Sequence, residues 1–183
     1  MKIDIFNTDR KYDIIYADPP WKYDDSGCQG AAEKQYSTMS VEELRKLPVE
    51  NLAAKDCILF LWATYPKLKE ALELIEAWGF KYKTIGFQWL KLNHNMQGFF
   101  FGLGRWTRGN TEPCLIATKG KPKRKSAKVS QLLIAPLTTH STKPPETRNR
   151  IMELCGGGYC NRTICPTTSR WLGLLGKRGI ERS

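Results

Sequence analysis

Four consecutive residues, Asp18-Pro19-Pro20-Trp21, have the types that chemistry at an aromatic amino group requires. The nitrogen of such an amine shares its lone pair with the ring. It becomes nucleophilic when hydrogen-bond acceptors draw its two hydrogens towards a tetrahedral arrangement. A carboxylate at Asp18 can accept one hydrogen and a backbone carbonyl the other. Pro19 suits the second role, because the Pro-Pro peptide fixes the direction of its carbonyl and offers no competing N–H. Trp21 supplies a flat face for a base, and such stacking contributes about 1–3 kcal/mol. Acid, aimed carbonyl and aromatic face together describe a pocket for the amine of an extruded nucleobase. Taken alone, Asp18 can also be read as a turn or helix-capping aspartate.

The elements that must position these residues are legible around them. The run Asp13 to Ala17 is apolar and β-branched, and a strand cannot continue through Pro19 and Pro20. Asp18 therefore falls at the carboxyl end of a buried strand, where open α/β sheets bind their ligands. Ser40 and Glu43 have capping-box spacing and open a short helix that ends before Pro48. Cys57 to Trp62 is an apolar run of strand length. From Pro66 an amphipathic helix places Leu68, Leu72, Ile75 and Trp78 on one face and stops at Gly79. Tyr82 to Leu90 reads as the next strand, a βαβ arrangement that implies parallel pairing. Glu112 to Thr118 and Gln131 to Ala135 read as further strands, and Pro144 to Leu154 as a helix ended by Gly156. The expected fold is a single α/β domain with a mostly parallel sheet and helices on both faces.

Composition narrows the function. A chain of 183 residues with a formal charge of +11 points to a polyanionic partner such as nucleic acid. No apolar run approaches the length of a membrane span and no signal-like N-terminus is present, so a cytoplasmic protein is expected. Six cysteines suggest zinc or disulfides by number but not by spacing. Cys28, Cys57 and Cys114 are far apart, and Cys155, Cys160 and Cys165 lack C-x2-C pairing. No metal site is expected, and reduced thiols are.

The DPPW tetrapeptide after an apolar strand, YSTMS at Tyr36 to Ser40, LFLWAT at Leu59 to Thr64, GRWTRGNTEPCLIATKGKP from Gly104 and HSTKP at His140 to Pro144 occur together in this order. In this the chain resembles the DPPW-type adenine N6 methyltransferases, from about Tyr12 to Gly156. That family includes the eukaryotic mRNA adenosine methyltransferase and many bacterial and phage DNA enzymes. The resemblance implies a Rossmann-like fold and S-adenosyl-L-methionine as methyl donor. It also implies roles. Asp18 and Pro19 would hold the adenine amine, Pro20 would set the loop and Trp21 would contact the base. Lys143 would meet the donor's carboxylate, with Asp18 and Ser141 beside it; read by itself, Lys143 is a solvated lysine before a helix. Tyr36 and Trp62 match positions near the acceptor, although a tryptophan in an apolar strand is ordinarily core. Trp106 and Glu112 lie in the segment bordering the acceptor, and the pattern departs from the eukaryotic form at Pro113, where that form has histidine.

Arg105 and Arg108, with Lys121, Lys123, Arg124 and Lys125 of the basic run KGKPKRKS, are read as phosphate contacts; by itself the run is a solvated loop. The stretch NMQGFFFGLG from Asn95 reads as a mobile loop near the acceptor. After Gly157 the family pattern (ELFAR, then GW, W and GNE) is missing. Combining the last two bases of each codon with the first of the next, degeneracy permits DIVTELFARQ from Gly158 to Thr167 and GWDCWGNEV from Trp171 to Gly179. Residues 1–157 are thus read as a methyltransferase domain and 158–183 as a tail translated out of frame, expected to give the sheet no strand and to be sensitive to protease. The expected activity is methyl transfer to adenine N6 in DNA, with RNA as the second substrate. The alternatives are a nucleic-acid-binding pseudoenzyme and a partner subunit in a homo- or heterodimer.

Overall fold

The computed structural model describes residues 5–23, 38–104, 106–138 and 142–156, together with the backbone of 163–164 and 172–175. Strand β1 (Tyr12–Ala17) forms from the apolar run before Asp18. Ser40 then caps α1 (Val41–Arg45): its Oγ accepts from the Glu43 N–H at 3.2 Å, and Glu43 Oε2 accepts from the Ser40 N–H at 2.7 Å. This reciprocal pair satisfies N–H groups that the first turn leaves open. A short α2 (Val49–Leu52) follows Pro48 and runs directly into β2 (Ala53–Trp62).

A 3-10 turn at Tyr65–Lys67 leads into α3 (Leu68–Ala77). Its fully buried positions are Ala71, Leu74 and Ile75, and Trp78 just beyond its end donates its indole N–H to the Leu44 carbonyl at 2.9 Å. That bond locks α3 onto α1. Strands β3 (Lys81–Leu92), β4 (Thr111–Lys119) and β5 (Leu132–Pro136) complete one side of the sheet, and α4 (Glu146–Cys155) covers its other face. No helix among the described residues is long and apolar enough to cross a membrane.

The described strands, with β6 (Thr163–Ile164) and β7 (Leu172–Leu175), form one sheet in the order β5-β3-β4-β2-β1-β7-β6. The expectation of a mostly parallel sheet is corrected here. Only β1 with β2 and β3 with β5 pair in parallel, whereas β4 runs antiparallel to both β2 and β3. The β2-α3-β3 crossover does return β3 in the direction of β2, but β4 inserts between them. Helical periodicity gives the direction of a return and says nothing of a later strand filling the gap.

The tail reading also meets a difference. Leu172–Leu175 pairs antiparallel with β1, Ala17 opposite Leu172 and Ile14 opposite Leu175. An unpaired β1 edge would leave a row of open N–H and C=O groups, and the apolar LGLL stretch fills it.

Alternation along the strands separates two cores. Ile15 and Ala17, with Leu59 and Leu61, face α1, α2 and α3. Ile14, Tyr16, Phe60, Trp62, Phe87 and Trp89 face α4 through Ile151 and Cys155. Helices therefore lie on both faces, as expected. Helix α4 ends at Gly156 in the left-handed conformation (φ 72), where an added Cβ would meet the Lys125 side chain at 2.5 Å. Gly156→Ala is expected to destabilise the fold by about 1–2 kcal/mol from the backbone alone, read as a shift in the urea midpoint.

Candidate active site

The face shared with α4 is apolar along the strands and charged at one rim. Tyr16 on β1 precedes Asp18, the first residue beyond that strand, by two, and Trp89 precedes Lys91 by two on β3. Cys114 follows Glu112 by two on β4. A period of two therefore sends Asp18, Lys91 and Glu112 to the same side of the sheet, at the carboxyl ends of β1 and β3 and the start of β4. Lys143, in the segment entering α4, projects into the same place.

The four charges form a chain. Lys143 Nζ lies 2.9 Å from Asp18 Oδ1 and 3.0 Å from Glu112 Oε1, and Lys91 Nζ lies 2.8 Å from Glu112 Oε2. All are largely withdrawn from water, with side-chain exposures of 22% for Asp18, 13% for Lys143 and 9% for Glu112. The Lys143 ammonium also sits 5.5 Å from the centre of the Trp62 ring, within reach of a cation–π attraction. Trp62 is held in turn by donation of its indole N–H to the Tyr16 hydroxyl at 2.6 Å.

Burial and neighbours set the ionisation. Burial raises the Asp18 carboxyl from 3.8 to about 6; Lys143 opposes that shift and Glu112 adds to it. Burial also works to raise Glu112, but Lys143 and Lys91 together bring it below the ordinary carboxylate range. Burial works to lower Lys143, yet Asp18 and Glu112 outweigh it and hold the ammonium well above the usual lysine range. Two carboxylates facing shared cations thus have separated ionisation, and such separation marks acid–base sites.

The turn after β1 has a fixed shape. The Pro19 carbonyl accepts from the Trp21 N–H at 2.9 Å, and Pro20 and Lys22 exchange backbone bonds with Met39 at 2.8 and 3.1 Å. Pro19 keeps one further lone pair for an incoming donor.

Trp21 differs from its expected placement. It is 4% exposed, packs in the core under α1 to α3 and donates its indole N–H to the Trp62 carbonyl at 3.2 Å. Its role in the structure is to tie the turn to β2, not to present an open face. Trp62 is fully buried core, and it touches the site through Lys143. Trp106 and Arg108 are exposed on the β3–β4 connection. Tyr36, Arg105 and Ser141 lie outside the described residues.

The basic run, read as phosphate contacts beside the pocket, lies away from it. Lys119 at the end of β4 pairs with Cys57 near the start of β2, and the Lys121 N–H donates to Asp56 at 2.7 Å. Lys119 lies seven positions beyond Glu112 along β4, roughly 23 Å along the sheet. Lys121, Lys123, Arg124 and Lys125 are therefore at the end opposite Asp18. The Lys125 N–H instead donates to the Leu154 carbonyl at 2.7 Å, satisfying the C-terminus of α4 where positive charge is favoured.

Sequence reasoning missed Lys91, which completes the charge chain. Its signal was present: it follows Trp89 by two at the end of a strand that pairs with Glu112.

For the methyl donor implied by the sequence, the fit rests on Lys143. Two of its three N–H bonds are directed at Asp18 and Glu112, and the third suits the carboxylate of an amino-acid headgroup.

A family model described as MT-A70 matches residues 12–165. The Type II methyltransferase M.MunI of a Mycoplasma sp is 39% identical over 155 residues, covering 74% of this chain and 64% of its own length. The N(6)-adenine-specific methyltransferase METTL4 of Mus musculus is 26% identical over 173 residues, covering 85% of this chain and 35% of its own. The Homo sapiens METTL4 is 26% identical over 157 residues, covering 77% and 32%. The chain thus spans less than two thirds of the length of these relatives. The matched segment contains the whole of the charge chain from Asp18 to Lys143, and by that match the protein belongs to the MT-A70 family.

Proposed function

We propose that this chain transfers a methyl group to the exocyclic N6 amine of adenine in DNA, with RNA as the second substrate to be tested. The observation that carries the reading is Asp18. It is a withdrawn carboxylate at the carboxyl end of a buried strand, next to a carbonyl fixed by two prolines and held by a lysine 2.9 Å away. S-adenosyl-L-methionine would supply an electrophilic methyl group when bound. Lys143 would hold its carboxylate, and Asp18 and the Pro19 carbonyl would orient the two amine hydrogens. Little covalent work falls to the protein, so positioning and pre-organised charge supply the rate.

The ionised form of Asp18 is the useful one, because only the carboxylate accepts without donating. With its carboxyl at about 6, kcat/KM is expected to fall as pH drops below about 6, with Lys143 remaining charged throughout. Initial rates against pH on an adenine-containing DNA duplex and on the matching RNA test this. A rate flat down to pH 4.5 would remove Asp18 from the chemistry.

From Gly158 the sequence lacks the ELFAR and GNE pattern that the resemblance implies. We infer that residues 158–183 are translated from a shifted frame, on the codon reading of Gly158 to Gly179. A chain carrying DIVTELFARQ and GWDCWGNEV in that place is expected to bind S-adenosyl-L-methionine at least tenfold more tightly by calorimetry. Equal affinity would show that the present tail is a working donor-site element.

A further inference from the structure

The connection between β3 and β4 carries the largest apolar exposure among the described residues. Met96, Phe99, Phe101, Leu103 and Trp106 stand out from it, with Trp106 at 99%, Phe101 at 68% and Phe99 at 50% exposure. Exposed clusters of this kind on a soluble chain mark a binding surface. Backbone bonds cross this segment, which the sequence marks as a loop. The Phe100 N–H donates to the Lys91 carbonyl at 2.9 Å, the Asn93 N–H to Gly98 at 3.2 Å and the Gly102 N–H to Gly109 at 2.9 Å. Leu92 and Phe99 form an antiparallel bridge, and Met96 and Gly98 turn the tip with φ of 60 and 73. Leu92 and Phe99 close a short hairpin, a second turn joined at Gly102 and Gly109 follows it, and aromatic side chains are exposed on both.

We propose that this hairpin is a stacking platform for the bases that flank the target adenine, an assignment that rests on the nucleic-acid reading above. Three observations select nucleobases as its occupant. First, the hairpin springs from Lys91, whose carbonyl accepts from Phe100 and whose ammonium bonds Glu112 in the charge chain. The platform is therefore continuous with the site that must receive an extruded base. Second, residues 92–111 contain no Asp or Glu but contain Arg105 and Arg108, a charge balance that suits a phosphate backbone. Third, the most exposed side chains include three aromatic rings, and every base has a face that stacks on such rings whatever its sequence. Extruding one base leaves its neighbours unstacked, and a platform beside the pocket recovers part of that loss. Trp21, expected from the sequence to contact the target base, is buried, so the exposed stacking faces beside the site are those of the hairpin.

The test uses the full chain without donor, an adenine-containing single-stranded DNA oligonucleotide and its duplex, with fluorescence anisotropy over a series of salt concentrations. Joint replacement of Phe99 and Phe101 by alanine is expected to weaken single-strand binding by about 10-fold or more, with the salt slope unchanged. Trp106→Ala, at a side chain with no core contacts to lose, should do likewise and abolish quenching of tryptophan emission by the oligonucleotide. Melting temperatures of both variants should match the parent. Unchanged affinity in both variants overturns the proposal, as does sedimentation showing that the parent is a dimer which these substitutions dissociate. Methyl transfer is read separately. Loss of affinity without any transfer by the parent keeps the platform and removes the enzymatic reading, whereas transfer with unaltered affinity removes the platform alone.

Discussion

Asp18→Asn is expected to lower methyl transfer by about 100- to 1,000-fold, the range found when one pre-organised polar contact to a reacting group is removed. Asparagine keeps the shape and can still accept through its carbonyl, but it loses the negative charge that draws on the amine hydrogens. The fold should not suffer. The folded-state carboxyl lies at about 6 against an ordinary 3.8, so the folded protein binds this proton more tightly than the unfolded chain does. By linkage, the contribution of Asp18 to stability is fully present below about 3.8 and is lost as pH rises to about 6. At pH 7 to 8 the substitution removes a disfavoured ionised group, and the melting temperature should hold or rise. Its stability should also depend less on pH between 4 and 6 than that of the parent. A variant with near-full turnover would take Asp18 out of the catalytic role.

Lys143→Met is expected to have the largest effect on stability. It leaves Asp18 and Glu112, both withdrawn from water, without the cation that lies 2.9 and 3.0 Å from them. Breaking a buried pair from one side costs about 3–5 kcal/mol, and Lys91 still faces Glu112, so the lower end is expected. The loss should shrink as the carboxylates are protonated. Urea unfolding of parent and variant at pH 8 and at pH 5 should show the larger difference at pH 8. An equal difference at both would mean that Lys143 acts through packing on Trp62 rather than through charge. Donor binding should fall in the same variant, because the cation for the donor's carboxylate has gone.

The parts of the site legible in the sequence were those carried by local rules. A strand that must stop at two prolines placed Asp18 at the rim, and the Ser40–Glu43 capping box formed with both of its bonds. Glu112 and Lys143, singled out from the family resemblance, stand at the same rim as Asp18. What local rules could not supply was pairing between distant segments. The insertion of β4 between β2 and β3 made the sheet mixed, and the same insertion carried the basic run to the far end from Asp18. Trp21 shows the limit for single residues: its ring fills the core and its indole N–H finds a partner there, whereas Trp62 is core, as a tryptophan in an apolar strand ordinarily is. The segment from Asn95, read as a loop, is crossed by backbone bonds that no periodicity announces.

In the proposed function the rim formed by Asp18, Glu112 and Lys143 directs methyl transfer to the N6 amine of adenine. The most direct test of this reading is to incubate the chain with S-adenosyl-L-methionine carrying an isotopically labelled methyl group and with duplex DNA or RNA. The nucleic acid is then digested and the labelled nucleoside identified by mass spectrometry, with Asp18→Asn alongside. The expected result is label in N6-methyl-deoxyadenosine and its loss in the variant. Label on the N4 amine of cytosine, or label on adenine that persists at the same rate in Asp18→Asn, would contradict the account.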